Sequence, residues 1–432
     1  MQIQALYKLY QQFPFIQTDT RKIKRDDLFF SLKGPNFNGN QFAKEALAKG
    51  AAYAIVDEET GTVDERIIKV ADVLTTLQSL ALHHRRQFAL SASGKQVPFI
   101  AITGSNGKTT SKELVHAVLS STYKTYTTQG NLNNHIGIPL TILKIKPDAE
   151  MAIIEMGANH QKEIEAYCQY TMPTHGTITN CGKAHLEGFG GEEGIRKGKG
   201  ELYDYLRLHN GTAFVMWDYD YLQQMSKGIP EIITYGTKQA GLTGIAKNST
   251  GLLEVSITHE AGLLSIKTNL VGDYNLPNIL LAVAIGRYFK VPDEKIKVAL
   301  ESYVPSNSRS QLIEKDGNNI ILDAYNANPS SMKAAIENFV KMEGADKVLL
   351  LGGMMELGSE SEKEHQALVG LIATYKWKDV VLVGGDFSKV NHHYLYFETS
   401  AEAREWFKVQ HYNRCSVLIK GSRSTQMEKV LE

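Results

Sequence analysis

One stretch limits this chain more than any other: Pro98-Phe-Ile-Ala-Ile-Thr-Gly-Ser-Asn-Gly-Lys-Thr-Thr-Ser111. Phe99 to Ile102 is a short apolar run that reads as a buried strand. It breaks at Gly104, passes through Gly107-Lys108-Thr109-Thr110 and enters Glu113-Leu-Val-His-Ala-Val-Leu119, whose spacing predicts a helix. A strand, a glycine turn and a helix start gather several backbone N–H groups around one point, a ready anion site. Lys108 adds a mobile positive charge, and Thr109 offers a hydroxyl to a phosphate-bound Mg²⁺. The common phosphate-loop spacing would put glycine where Ile102 stands, so this is a tighter variant that runs from Gly104 through Ser105 and Asn106 to Gly107. It predicts a chain built to use ATP or GTP.

At 432 residues the chain is too long for one ordinary core, and two to four domains are expected. Lys plus Arg is 47 and Asp plus Glu is 47, so no net field points to nucleic acid or an anionic membrane. No apolar run approaches the ~18 residues of a membrane span. Met1 to Tyr10 is an amphipathic helix candidate without the basic start and apolar block of a signal peptide. Cys168, Cys181 and Cys415 share no metal spacing, so free thiols in a reducing cytoplasm are expected.

Residues 1–90 alternate short strands and helices, with strands at Asp27–Leu32 and Ala51–Val56, a turn at Gly34–Gly39 and a helix over Phe42–Lys49. Ser91–Gln96 reads as a linker. Strands are expected at Tyr123–Thr128, Met151–Gly157 and Gly176–Asn180, with an Asn-rich loop and then Pro139–Leu143 between the first two; this alternation argues for a mostly parallel, doubly wound sheet. Residues 211–271 change character, with runs such as Leu252–Ile257 and Leu263–Thr268 that read as an antiparallel addition. Beyond a boundary near Pro305–Ser308, Asn319–Asp323, Val348–Gly352, Val380–Gly384 and Ser416–Lys420 read as strands of a Rossmann-like domain.

Several residues at strand ends could carry chemistry. Glu155 ends a buried run, where an acid suits a second Mg²⁺ contact; a carboxylate turning to solvent is the plainer alternative. His185, in a glycine-rich loop, could ligate a metal, act as a base or be structural. Lys183, Lys197 and Lys199 crowd the same region, and an ammonium cannot ligate a metal. Asn275 and Asn278 open an apolar helix and could bracket a planar base or simply cap it. Arg309 and the cluster Asp323-Ala-Tyr325-Asn326-Ala-Asn328-Pro329 also sit at strand ends, and alone are common scaffolding.

Together these stretches resemble the Mur ligase family, the ATP-dependent amide ligases of peptidoglycan precursor synthesis. The likeness runs in order through nearly the whole chain. It covers Thr18-Asp19-Thr20-Arg21, Leu28 to Gly34, the Thr103–Thr110 loop, Asn131-Leu-Asn-Asn-His-Ile-Gly137, Glu155-Met-Gly-Ala158 and Ala184-His-Leu-Glu187. It continues with Asn275-x-x-Asn278, Asp323 to Pro329, Met355-Glu-Leu-Gly358 and Lys420-Gly-Ser-Arg-Ser424. Four of these motifs select the branch that adds D-Ala-D-Ala.

The resemblance implies roles residue by residue. Lys108 and the amides of Gly104 to Thr110 hold ATP phosphates. Thr109 and Glu155 bind one Mg²⁺, while His185 and a carbamylated Lys199 serve a second; Lys197 is the near miss. Asn275 and Asn278 flank adenine, and Arg309 and Asp323 reach the nucleotide. Thr18 to Arg21, with Ser31 to Lys33, line a UDP pocket. Asn133 and Asn134 face the nucleotide-sugar substrate; Tyr325, Asn326, Asn328 and Ser330, with the Glu356 and Arg423 loops, are assigned to the substrates. Four departures stand out: Ser105 and Ser111 in place of threonines, Gly353 in place of the family's usual Asp, and Ser306-Asn-Ser-Arg309 in place of Pro-Gly-Arg.

The expected architecture is α/β in three domains: a small UDP-binding domain (1–95), a central P-loop-type ATPase domain (96–305) with a mostly parallel sheet and an antiparallel addition, and a C-terminal Rossmann-like domain (306–432). The expected activity joins D-Ala-D-Ala to UDP-MurNAc-tripeptide through an acyl phosphate. A monomeric cytoplasmic enzyme with no nucleic-acid partner is expected. The alternatives are a sister amino-acid-adding ligase, a folylpolyglutamate synthetase, or a nucleotide-dependent switch.

Overall fold

The computed structural model describes residues 2–61, 63–88, 96–248, 251–258, 264–306, 308–344 and 346–432. The linker expected at Ser91–Gln96 lies outside them except for Gln96, as do Leu263 and Asn307. The chain divides into two compact units: one holds residues 1–101, 123–157 and 163–175, the other residues 102–122, 158–162 and 176–432.

The first unit contains a parallel four-stranded sheet in the order Ile16–Gln17, Leu28–Phe30, Tyr53–Val56, Ile67–Lys69. Phe29, Ala54 and Val56 pack there against Ala43, Ala46 and Leu47 of the helix Ala43–Ala48. The turn expected at Gly34–Gly39 is a small hairpin pairing Lys33–Gly34 with Phe37–Asn38. Thr125–Thr127 and Met151–Glu155 form a second parallel pair. Between them, Gly137–Leu143 is a helix whose first turn Asn134 caps, its Oδ1 accepting from the backbone N–H of Gly137 at 2.9 Å. Buried Arg85 fixes the C-terminal end of the helix Glu163–Thr171 by donating to the Thr171 and Met172 carbonyls, each at 2.8 Å.

The second unit carries two sheets. Thr212–Met216, Glu231–Gly236 and Leu242–Asn248 run parallel, and only Leu252–Ile257 and Leu264–Val271 continue antiparallel. The antiparallel character expected for all of 211–271 therefore begins only where Leu242–Asn248 meets Leu252–Ile257. The helix Asp220–Ser226 carries the chain back between the first two strands, and such a crossover imposes parallel pairing. The other sheet has the order Gln311–Lys315, Asn318–Asp323, Ser416–Lys420, Lys347–Gly352, Asp379–Val383, Leu395–Phe397, antiparallel only at the first pair. The four strands expected in this region are its centre; the two edges were not anticipated. Val348, Leu350, Val381, Val417 and Ile419 form its core. No described helix is long and apolar enough to cross a membrane.

Candidate active site around the phosphate loop

The loop after Phe99–Thr103 opens the helix Lys108–Ser120 through Gly107, whose φ of +80° is left-handed. A Cβ there would also lie 2.7 Å from Asn278 Oδ1, so glycine is required twice over. Lys108 folds back over the loop, its Nζ donating to the Gly104 and Ser105 carbonyls at 2.7 and 3.1 Å. Thr109 and Thr110 are half-buried at the helix start.

The chain following Gly176–Ile178 clamps this loop from one side. Asn180 exchanges two bonds with the Asn106 backbone, both at 3.1 Å, and Thr179 Oγ1 donates to the Asn106 carbonyl at 2.6 Å. Ser105 Oγ donates to the Gly182 carbonyl at 2.6 Å, so the serine found in place of threonine still bonds. The clamp formed by Thr179, Asn180 and Gly182 went unread in the sequence; its only signal was its place at a strand end.

Asn275 and Asn278 meet at the start of the buried helix Leu276–Tyr288. Asn278 Nδ2 donates to Asn275 Oδ1 at 2.9 Å, and Ser111 Oγ donates to Asn278 Oδ1 at 2.9 Å. Asn275 Nδ2 donates to the Val271 carbonyl at 2.8 Å. These amides thus fasten the two helices beneath the loop.

His185 lies in the same unit, in left-handed backbone (φ +54°), with its imidazole paired to Glu356, itself left-handed at φ +62°. Two such residues facing one another store backbone strain at one point. The imidazole holds the Glu356 carboxyl below the usual carboxylate range. Lys199, on the helix Glu192–Leu208, is fully buried and donates to the Ala158 carbonyl at 2.9 Å, with Nζ 4.7 Å from the Phe189 ring. Lys197 on the same helix is exposed. Burial thus separates two lysines that sequence spacing left adjacent.

Residues beyond 306 in this unit reach the loop as well. Asn328 caps the helix Pro329–Lys341, and its Nδ2 donates to Asn106 Oδ1 at 2.7 Å. Ser330 Oγ accepts from the Lys183 backbone at 2.8 Å. Asp323 accepts from Lys420 Nζ at 2.6 Å, which also reaches the Asn326 carbonyl at 3.2 Å and so fixes both ends of that turn. Arg309 lies 3.6 Å and Arg423 5.6 Å from the Tyr325 ring centre. A Cβ on Gly353 would stand 2.7 Å from Gly385 Cα, which explains why glycine occupies this position.

The remaining expected residues lie in the first unit. Glu155 is buried at its strand end and accepts from Asn133 Nδ2 at 2.7 Å. Asp19 caps the turn Thr20–Lys22 and pairs with Arg21 at 2.8 Å, which lowers its carboxyl to about 2. Thr18 is half-buried. Lys33 pairs with Asp57 at 3.2 Å and Glu58 at 3.4 Å. Ser31 Oγ is fully buried without a partner among the described residues, the kind of polar atom a ligand satisfies.

Three family models match the chain: the Mur ligase family catalytic domain over residues 12–85, the Mur ligase middle domain over 102–286, and the Mur ligase glutamate ligase domain over 308–423. A UDP-N-acetylmuramoyl-tripeptide–D-alanyl-D-alanine ligase of Bacillus subtilis is 36% identical over 85% of this chain and 79% of its own. A crystal structure of MurF from Acinetobacter baumannii superposes with a TM-score of 0.86 at 30% identity, covering 98% and 97% of the two chains. MurF ligase from Thermotoga maritima in complex with ADP gives 0.84 at 25% identity, covering 96% of each.

Proposed function

Because the chain belongs to the Mur ligase family, we propose that it is an ATP-dependent ligase joining D-Ala-D-Ala to UDP-MurNAc-tripeptide in peptidoglycan precursor synthesis. It works in the cytoplasm, where both substrates and ATP are available. The observation that supports this reading most is the phosphate loop with Lys108, clamped by Asn180 and joined to the turn at Asn328 within one unit.

Lys108 and the loop amides bind and orient the ATP phosphates, and Arg309 and Asp323 approach the nucleotide from beyond residue 306. The terminal carboxylate of the tripeptide attacks the γ-phosphorus and ADP leaves, giving an acyl phosphate. The neutral amine of D-Ala-D-Ala then attacks the acyl carbon, loses a proton and expels inorganic phosphate. Catalysis on this scheme is positioning plus charge stabilisation.

Thr109 would offer a hydroxyl and Glu155 a carboxylate to one Mg²⁺, and His185 an imidazole to a second. Those ions would supply charge neutralisation for the transferring phosphoryl group. Lys199 would join His185 for the second ion as a carbamate, formed from its neutral amine and CO₂ with loss of one proton. Its complete burial supports that reading, because holding a charged ammonium inside a protein is costly. Thr18 to Arg21, Ser31 and Lys33 hold the UDP end, Asn133 and Asn134 the sugar-peptide, and Tyr325, Asn326, Asn328 and Ser330 the reacting ends.

The test is ATP turnover against a panel of amines. Phosphate release should depend on D-Ala-D-Ala and not on single amino acids, and Lys108→Ala should retain its circular dichroism while losing turnover. An active Lys108→Ala, or acceptance of single amino acids in preference to the dipeptide, overturns the assignment.

A further inference from the structure

The bonds that join the loop region to residues beyond 306 in the second unit include Asn106–Asn328, His185–Glu356 and Lys183–Glu364. The side chains of the third pair contact no residue assigned above to nucleotide, metal or substrate. Lys183 Nζ donates to Glu364 Oε1 at 2.6 Å, while the Lys183 backbone donates to Ser330 Oγ at 2.8 Å. The same ammonium stands 3.8 Å from Glu192, on the helix that carries Lys199. Glu364 sits on the helix Ser361–Ala373 with its side chain only 9% exposed, against 39% for Lys183. One lysine therefore ties the chain ahead of His185 to two helices from beyond 306 and to the Lys199 helix.

We infer that Lys183 and Glu364 are a positioning pair that keeps phosphoryl transfer coupled to amide formation. The inference rests on the ligase reading above. An acyl phosphate must survive until the dipeptide amine reaches it. If water attacks the acyl carbon first, the carbon–oxygen bond to phosphate breaks, the carboxylate is regenerated, and phosphate and protons are released with no amide made. A shielded carboxylate deprived of its ammonium must recover hydration, and the helix bearing Glu364 loosens from the His185 loop to provide it.

The experiment uses the full-length enzyme with UDP-MurNAc-tripeptide, ATP and D-Ala-D-Ala, measuring phosphate and amide in the same reaction. Wild type should release one phosphate per amide. Lys183→Met and Glu364→Gln should each release roughly fivefold more phosphate per amide, as when a partly buried ion pair is broken, with little change in KM for ATP. The exchange Lys183→Glu with Glu364→Lys should bring the ratio back toward wild type. Glu364→Gln keeps the side-chain shape, so it decides the matter if Lys183→Met unfolds. A ratio of one in both single variants, or an exchanged pair as uncoupled as either, overturns the inference. Wild-type protein that makes no amide overturns the ligase reading instead.

Discussion

Gly353 shows how a single position can depart from a family pattern for a steric reason. Its missing Cβ lets the strand end at Gly352 approach the Gly385 backbone, and an Asp there needs both space and solvation for its carboxylate. Gly353→Asp should cost about 2 kcal/mol of stability through overpacking, read as a lower urea midpoint with an unchanged slope. Burial pushes the Cys181 thiol up to about 12, so at neutral pH it stays protonated and unreactive. Iodoacetamide should label Cys181 in denatured protein and spare it in the native state; fast native labelling would contradict that environment. At this scale the sequence exposed the loop glycines and Lys108 directly, because their chemistry is local. Lys199 ranks over Lys197 there only through the family resemblance, since burial depends on which helix face meets Phe189.

Helix starts carry as much of the site as strand ends do. Asn328 opens Pro329–Lys341 with a reciprocal capping box shared with Ser331, and it bonds Asn106 besides. Asn328→Ala should cost about 1 kcal/mol in thermal unfolding. Asn328→Ser, which keeps the cap but not the reach to Asn106, should cost only a few tenths. The strands Met151–Glu155 and Ser416–Lys420 were legible as continuous apolar runs closed by a polar or glycine turn. Gly137–Leu143 was less so, because seven mostly apolar residues fit a buried helix or a strand equally well. Periodicity is also silent on strand direction, which is why Thr212–Met216 and Glu231–Gly236 were grouped with antiparallel neighbours. The edges Gln311–Lys315 and Leu395–Phe397 escaped notice because both carry exposed residues in short runs.

For the molecule as a whole, the order of the motifs along the chain is legible in the sequence, whereas the pairings that join distant motifs are not. Asn106 and Asn328 are far apart in the chain, and nothing in either motif names the other. The same holds for Lys420, whose bond to Asp323 fixes the turn that presents Tyr325. Ligand binding should report on this organisation, because anything that binds only the folded loop stabilises the fold. ADP at a hundredfold excess over its Kd should add about 2.7 kcal/mol to unfolding stability, and Lys108→Ala should lose most of that gain. Equal stabilisation of both proteins in thermal melts would place the nucleotide elsewhere.

The Asn106–Asn328 bond also sets a rule for building chimeras. Swapping everything beyond residue 306 for the counterpart from a relative exchanges one half of an amide pair and keeps the other. Where the relative carries another residue in place of Asn328, a flexible junction cannot repair the mismatch, because it is decided at the recipient's own loop rather than at the seam. The two asparagines have to be transplanted as a unit, however far apart they lie in the gene.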